Sequence, residues 1–149
     1  MKKKICLISS SGGHFEQLKM LKKLEDDYDV FWVTEKTEYT ENADYFLLQT
    51  GLKDKKYKSK TFKNLIESIK IWRIEKPDFV ISTGTMVALP MFLLAKLHRK
   101  KIIYIETFAR VYDGTKAGKL MYKYSDLFIY QWEPLAEVYP EGIFGGSIY

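Results

Sequence analysis

The sequence is poor in the residues that staple chains, bind metals or cut substrates. One cysteine among 149 residues excludes an internal disulfide, and its place inside the run Ile5-Cys6-Leu7-Ile8 marks Cys6 as a small buried hydrophobe in a reducing setting. The two histidines, His14 and His98, stand in no zinc-like spacing with further ligands, so no metal is expected. Neither Gly-x-Gly-x-x-Gly nor a Gly-Lys-Ser/Thr phosphate loop is found, which disfavours nicotinamide and ATP sites and leaves no cofactor assigned. The absence of a nucleophile elbow disfavours a complete small hydrolase. No apolar run is long enough to cross a bilayer, and the one behind Met1-Lys2-Lys3-Lys4 is too short for a signal-peptide core. Repeats, low-complexity tracts and linker-like breaks are missing as well, so residues 1–149 are read as a single domain.

What is present is a basic, aromatic-rich α/β pattern. The net charge is +5, with lysines crowded in Lys53 to Lys63 and a second basic group at His98 to Lys101. Because no RNP-type aromatic signature and no helix-turn-helix accompanies this charge, nucleic acid is not expected, and the lysines point to phospholipid or a phosphate-bearing substrate. Tyrosines and lysines interleave, as in "KLMYKYS", in a way that suits the headgroup level of a membrane. Short apolar runs at Ile5–Ile8, Tyr28–Thr34, Asp44–Gln49, Asp78–Thr83, Lys101–Glu106 and Asp126–Gln131 read as strands. A polar, helix-poor stretch from Glu35 to Ala43 parts the second and third. Helical spacing recurs at Leu18, Leu21 and Leu24, and again at Phe62, Leu65, Ile66 and Ile69, where Thr61 is the expected N-cap and Pro77 follows the end. "VALPMFLLAKLH" reads as a core helix with Pro90 in its first turn, and "AGKLMYKY" as a shorter one. Strands that are apolar throughout and alternate with helices specify α/β, a single Rossmann-like doubly wound parallel sheet.

In such sheets, ligands bind beyond the carboxyl ends of the strands, where strand order reverses. Three segments fall there: "SSSGGH" after the first strand, "STGT" after "DFVI", and "ETFAR" after "KIIYI". The first places Ser10, Ser11, Gly12, Gly13 and His14 at a strand-to-helix turn whose amides suit an anion, with an imidazole able to donate, accept or shuttle a proton. A tight turn that only relieves backbone strain is the plainer reading. Thr83, Gly84 and Thr85 form a second such turn, for which helix capping by Thr83 or Thr85 is the alternative. Glu106, ending an apolar strand, is either a general base with a pKa raised by burial or the ion-pair partner of Arg110.

The combination of "SSGGHFEQL", "STGTMVALP" and "IETFARV" resembles, over almost the whole chain, the acceptor-side half of the MurG-like glycosyltransferases. It resembles more closely the membrane-recruiting subunit of the two-subunit UDP-N-acetylglucosamine transferase of N-glycan assembly and its bacterial relatives, the PssD-type proteins of capsular and exopolysaccharide synthesis. The resemblance implies one half of a GT-B enzyme, the N-terminal, acceptor-side domain. Such a subunit binds a polyprenyl-diphosphate-linked sugar on an anionic membrane surface and forms a heterodimer with a donor-binding subunit that supplies the UDP-sugar. It further implies that Ser10, Ser11, Gly12, Gly13, Thr83, Gly84 and Thr85 line the acceptor diphosphate, that His14 or Glu106 is the catalytic base, and that the tail "IFGGSIY" packs on the partner. Because the chain starts directly with its first strand, attachment is expected to be peripheral, on the cytoplasmic face. The competing class is a stand-alone α/β binding protein for a flavin or sugar phosphate.

Overall fold

The computed structural model describes residues 1–39 and 42–149, so Thr40 and Glu41, within the polar stretch Glu35 to Ala43, lie outside the described residues. Seven strands, β1 (Lys4–Ile8), β2 (Asp29–Lys36), β3 (Tyr45–Leu48), β4 (Phe79–Ser82), β5 (Lys101–Ile105), β6 (Leu127–Tyr130) and β7 (Ile143–Phe144), form one sheet. Their order is β3-β2-β1-β4-β5-β6-β7 and every neighbouring pair is parallel. The order reverses between β1 and β4, as expected for a doubly wound sheet.

Helix α1 (Gly13–Lys19) buries Phe15 and Leu18 against Leu7, Trp32 and Ile81 on one face. Helices α2 (Tyr57–Glu75), α3 (Leu89–Leu97) and α4 (Lys116–Tyr122) cover the other, where Ile71, Trp72, Met91, Phe92 and Met121 meet Cys6, Ile8, Val33, Val80 and Ile102. Fully burying side chains of this size stabilises the fold by about 1.5–3 kcal/mol each. Cys6 is the buried hydrophobe the sequence implies, and burial pushes its thiol far above the ordinary range.

The largest departure from the sequence reading is the start of α2. It begins at Tyr57, so Thr61 is interior, its hydroxyl donating to the Tyr57 carbonyl at 2.8 Å rather than capping. Asp54 anchors this end instead, accepting the Lys56 amide at 2.8 Å and the Lys60 ammonium. Half of the expected lysine loop is therefore helix. At the other end Lys76 takes the left-handed conformation before Pro77 and closes α2. The tail adds an unexpected short strand, β7.

At the amino ends of the strands, carboxylates close the sheet. Asp44, Asp78 and Asp126 each precede a strand and accept an amide of the neighbouring one: Trp32 at 2.8 Å, Lys4 at 3.0 Å and Ile102 at 2.8 Å. Lys4 pairs with Glu75 at 2.8 Å and Lys100 with Asp78 at 3.0 Å.

Candidate functional site

The carboxyl ends of β1 and β4 lie side by side at the reversal point, and their two glycine turns are joined. The Ser10 amide donates to the Gly84 carbonyl at 2.8 Å, and the Thr83 hydroxyl donates to the His14 carbonyl at 2.6 Å. Both turns use a left-handed glycine, Gly12 with φ 78 and Gly84 with φ 113. At Gly84 space is limiting as well: a Cβ there would sit 2.8 Å from His14 Nδ1.

His14 is therefore clamped against the second turn. Its Nδ1 lies 2.9 Å from the Thr83 carbonyl. A carbonyl can only accept, so Nδ1 carries a proton, and in the neutral ring the lone pair belongs to Nε2. A ring held in this way has its orientation fixed by one nitrogen and leaves the other able to accept a proton.

The structure divides the expected diphosphate residues into two groups. Ser11, Gly12, Gly13 and Thr85 are accessible, whereas Thr83 is fully buried and Gly84 and Ser10 are buried. Thr83 and Gly84 thus shape the seat of His14. Thr85 stands at the start of a 3-10 turn, Met86–Ala88, without a side-chain capping bond, and Thr83 spends its hydroxyl on His14.

Glu106 differs from the expectation. It is 0% exposed, and its carboxylate accepts the Thr107 amide at 3.0 Å, the Thr115 amide at 3.1 Å, the Thr115 hydroxyl at 3.0 Å and the Tyr139 hydroxyl at 2.5 Å. Burial, and then the carboxylate itself, push the Tyr139 phenol far up, so it remains a donor. Arg110 pairs with Asp113 at 3.1 Å instead. A carboxylate so enclosed cannot meet a substrate hydroxyl without breaking this set, so the geometry gives Glu106 an anchoring role, tying the loop after β5 to α4 and the C-terminal region. Gly118 is glycine because a Cβ there would collide with Glu106 Oε2.

Two features escaped the sequence reading. Gln17 on α1 accepts the Phe108 amide at 3.0 Å and a Gln131 amide proton at 3.0 Å, and Gln131 accepts the Ile148 amide at 2.8 Å, linking α1 to the tail. Glu35, at the carboxyl end of β2, is 4% exposed and accepts the Ser11 amide at 3.4 Å and the Thr50 amide at 3.0 Å. Nothing local marks either residue, because their partners lie far along the chain.

Beside the turns, α2 and α3 frame a groove of about 440 Å³ lined by Phe62, Leu65, Met86, Leu89, Pro90 and Leu93, with Thr50 at its edge. Phe62 is 62% exposed and Leu93 47%, which is unusual for side chains of this size on adjoining helices. Lys58 lines its edge, and the exposed Lys53, Lys55 and Lys56 lie in the chain just before α2. No helix among the described residues is long and apolar enough to cross a membrane.

Residues 57–148 match the family described as "Oligosaccharide biosynthesis protein Alg14 like". The chain belongs to the Alg14-like family. The human UDP-N-acetylglucosamine transferase subunit ALG14 is 38% identical over 79 residues, a match covering 49% of this chain and 37% of the human protein. The subunit of the same name from Yarrowia lipolytica is 27% identical over 174 aligned positions, covering 97% and 81%. Among solved structures, UDP-GlcNAc 2-epimerase from Methanocaldococcus jannaschii superimposes with a TM-score of 0.71 at 21% identity, over 90% of this chain and 41% of the epimerase. MurG of Acinetobacter baumannii gives 0.70 at 18%, over 89% and 42%. These likenesses establish the fold: the Alg14-like sheet corresponds to one Rossmann-like half of a GT-B enzyme.

Proposed function

We propose that this chain is the acceptor-binding subunit of a two-chain glycosyltransferase that moves a sugar from a UDP donor to a polyprenyl-diphosphate-linked acceptor. On this reading residues 1–149 are the N-terminal, acceptor-side half of the enzyme, and a separate donor-binding subunit completes the cleft. The observation that carries it is His14, held by Nδ1 at the reversal point of the sheet, with an apolar groove edged by Lys58 and reached by Met86, next along the chain from the second turn.

The acceptor's prenyl chain lies along the α2/α3 groove. Its diphosphate meets the accessible part of the first turn, Ser11, Gly12 and Gly13, together with Thr85 and the lysines around the start of α2, while Ser10, Thr83 and Gly84 hold that surface in shape. The acceptor hydroxyl attacks the anomeric carbon of the UDP-sugar, its proton passes to His14 Nε2, and UDP leaves with the bonding electron pair into the partner's site. Glu106 keeps the loop after β5 in place and takes no proton. The same groove and lysines dock the chain peripherally on the anionic cytoplasmic face of a membrane, where apolar burial and lysine-to-lipid attraction act together. The family and the relatives named for UDP-N-acetylglucosamine transfer support this assignment. We extend it, on the PssD-type resemblance, to lipid-linked intermediates of capsular or exopolysaccharide synthesis.

The test is co-expression with a donor-binding subunit and assay with UDP-N-acetylglucosamine and membrane lipid acceptor, each chain alone serving as control. Transfer that requires both chains supports the reading. Failure of the chains to associate, with a chromophore or sugar phosphate retained by this chain alone, would replace it with a binding protein.

A further inference from the structure

Glu35 is a buried acid that the transfer reaction described above does not use. It lies on the same face of β2 as Phe31 and Val33, over the core shared with α2 and α3. Burial pushes its carboxyl above the ordinary range, against the opposing effects of the Thr50 and Ser11 amides and the neighbouring His14. Keeping an acid there is costly, and its geometry shows what it provides. One oxygen accepts from Ser11, in the turn that carries His14, and the other accepts from Thr50, at the edge of the apolar groove. A carboxylate offers two acceptors and no obligatory donor, so it can take one N–H from each loop. A glutamine of the same size has one acceptor oxygen and would turn its own N–H groups towards the second amide.

We propose that Glu35 is a positioning residue that fixes the His14 turn relative to the α2/α3 groove, so that an isoprenoid diphosphate seated in the groove is registered against the imidazole. The proposal rests on the acceptor-binding reading and adds to it the residue that couples the two parts of the site. Glu35 touches neither substrate nor proton; it acts through Ser11 and Thr50.

Two measurements on the full chain test this, using wild type and Glu35→Gln, which preserves size and removes a charge that burial already disfavours. In the first, NMR hydrogen exchange is read at individual amides. Glu35→Gln is expected to speed exchange of at least one of the Ser11 and Thr50 amides about tenfold while those of β4 and β5 are unchanged. Unchanged exchange at both would overturn the proposal. In the second, farnesyl diphosphate is titrated while the Leu93 methyls and the His14 ring are observed. Wild type should show shifts at both sites. In Glu35→Gln the Leu93 shift should persist and the His14 shift should fall at least fivefold, a separation that a merely structural role would not produce. Equal His14 responses in both proteins would contradict the coupling. If Leu93 does not respond in wild type, the acceptor reading itself fails, and the exchange measurement alone then decides whether Glu35 holds the turn.

Discussion

The two ends of the sheet use acidic residues in opposite ways. At the amino end, Asp44, Asp78 and Asp126 sit at the margin of the strands, accept amides of the neighbouring ones, and in the case of Asp78 pair with the Lys100 ammonium. At the carboxyl end, Glu35 and Glu106 are buried, and their partners are amides and hydroxyls of loops. The first arrangement closes a sheet, each aspartate reaching the strand beside its own. The second ties loops together at the cost of burying two acids, Glu35 reaching the turn before His14 and Glu106 the loop after β5. On the proposed function, the difference separates a stabilising end from a working end, and the substitutions below test that separation.

The sharpest division should come from His14→Ala. With the acceptor and donor subunits together, transfer is expected to fall about 100-fold or more, the scale of a lost general base, while the thermal midpoint stays near wild type. A large drop in the midpoint instead would make His14 a structural residue and blur the two ends.

Glu106→Ala should act oppositely, chiefly on stability. It strips acceptors from the Thr107 and Thr115 amides and the Tyr139 hydroxyl in a fully buried place, and urea unfolding should report a loss of about 3 kcal/mol. Retained stability with abolished transfer would return Glu106 to the role of catalytic base.

Leu93→Glu places a charge in the groove at a position that is already half exposed. Sedimentation with vesicles containing anionic lipid should show about a tenfold loss of binding with the fold intact. Unaltered binding would move the membrane surface elsewhere.

The smallest effect belongs to the amino end. The Lys4 amide, and after it the Lys100 ammonium, hold the Asp78 carboxyl below its ordinary range. A group whose pKa is lowered by folding adds stability above its unfolded value, so this contribution should be complete near neutrality and fade as pH falls through the lowered pKa. Asp78→Asn should cost about 1 kcal/mol at pH 7 in urea unfolding, less at pH 3, and leave transfer per folded molecule unchanged. Reduced transfer at full occupancy of the folded state would show that the amino end also serves the site.

Much of this organisation was legible in the sequence. Short apolar runs placed the six longer strands, because strands buried on both faces must be apolar throughout, and helical spacing placed the main helices between them. The motif "SSSGGH" marked the turn that holds His14, and "STGT" marked its neighbour. The start of α2 was obscured by the lysines from Lys53 to Lys63, since it depends on Asp54, which lies among them. Strand β7 is two residues long and leaves no period to read. The buried polar contacts of Glu35, Glu106 and Gln17 could not be foreseen, because each joins segments that only the folded sheet brings together.

On the proposed function an isoprenoid diphosphate is received at the carboxyl end of the sheet, where the groove between α2 and α3 opens. At the opposite end, Trp72, Arg73, Lys76, His98 and Lys100 surround a basic aromatic pocket of about 310 Å³. Photocrosslinking with a benzophenone-bearing isoprenoid diphosphate, followed by peptide mapping, distinguishes the two directly. Labelling of Phe62, Leu65 or Leu93, competed by farnesyl diphosphate, is the predicted result; labelling confined to Trp72 and His98 would contradict binding at the carboxyl end.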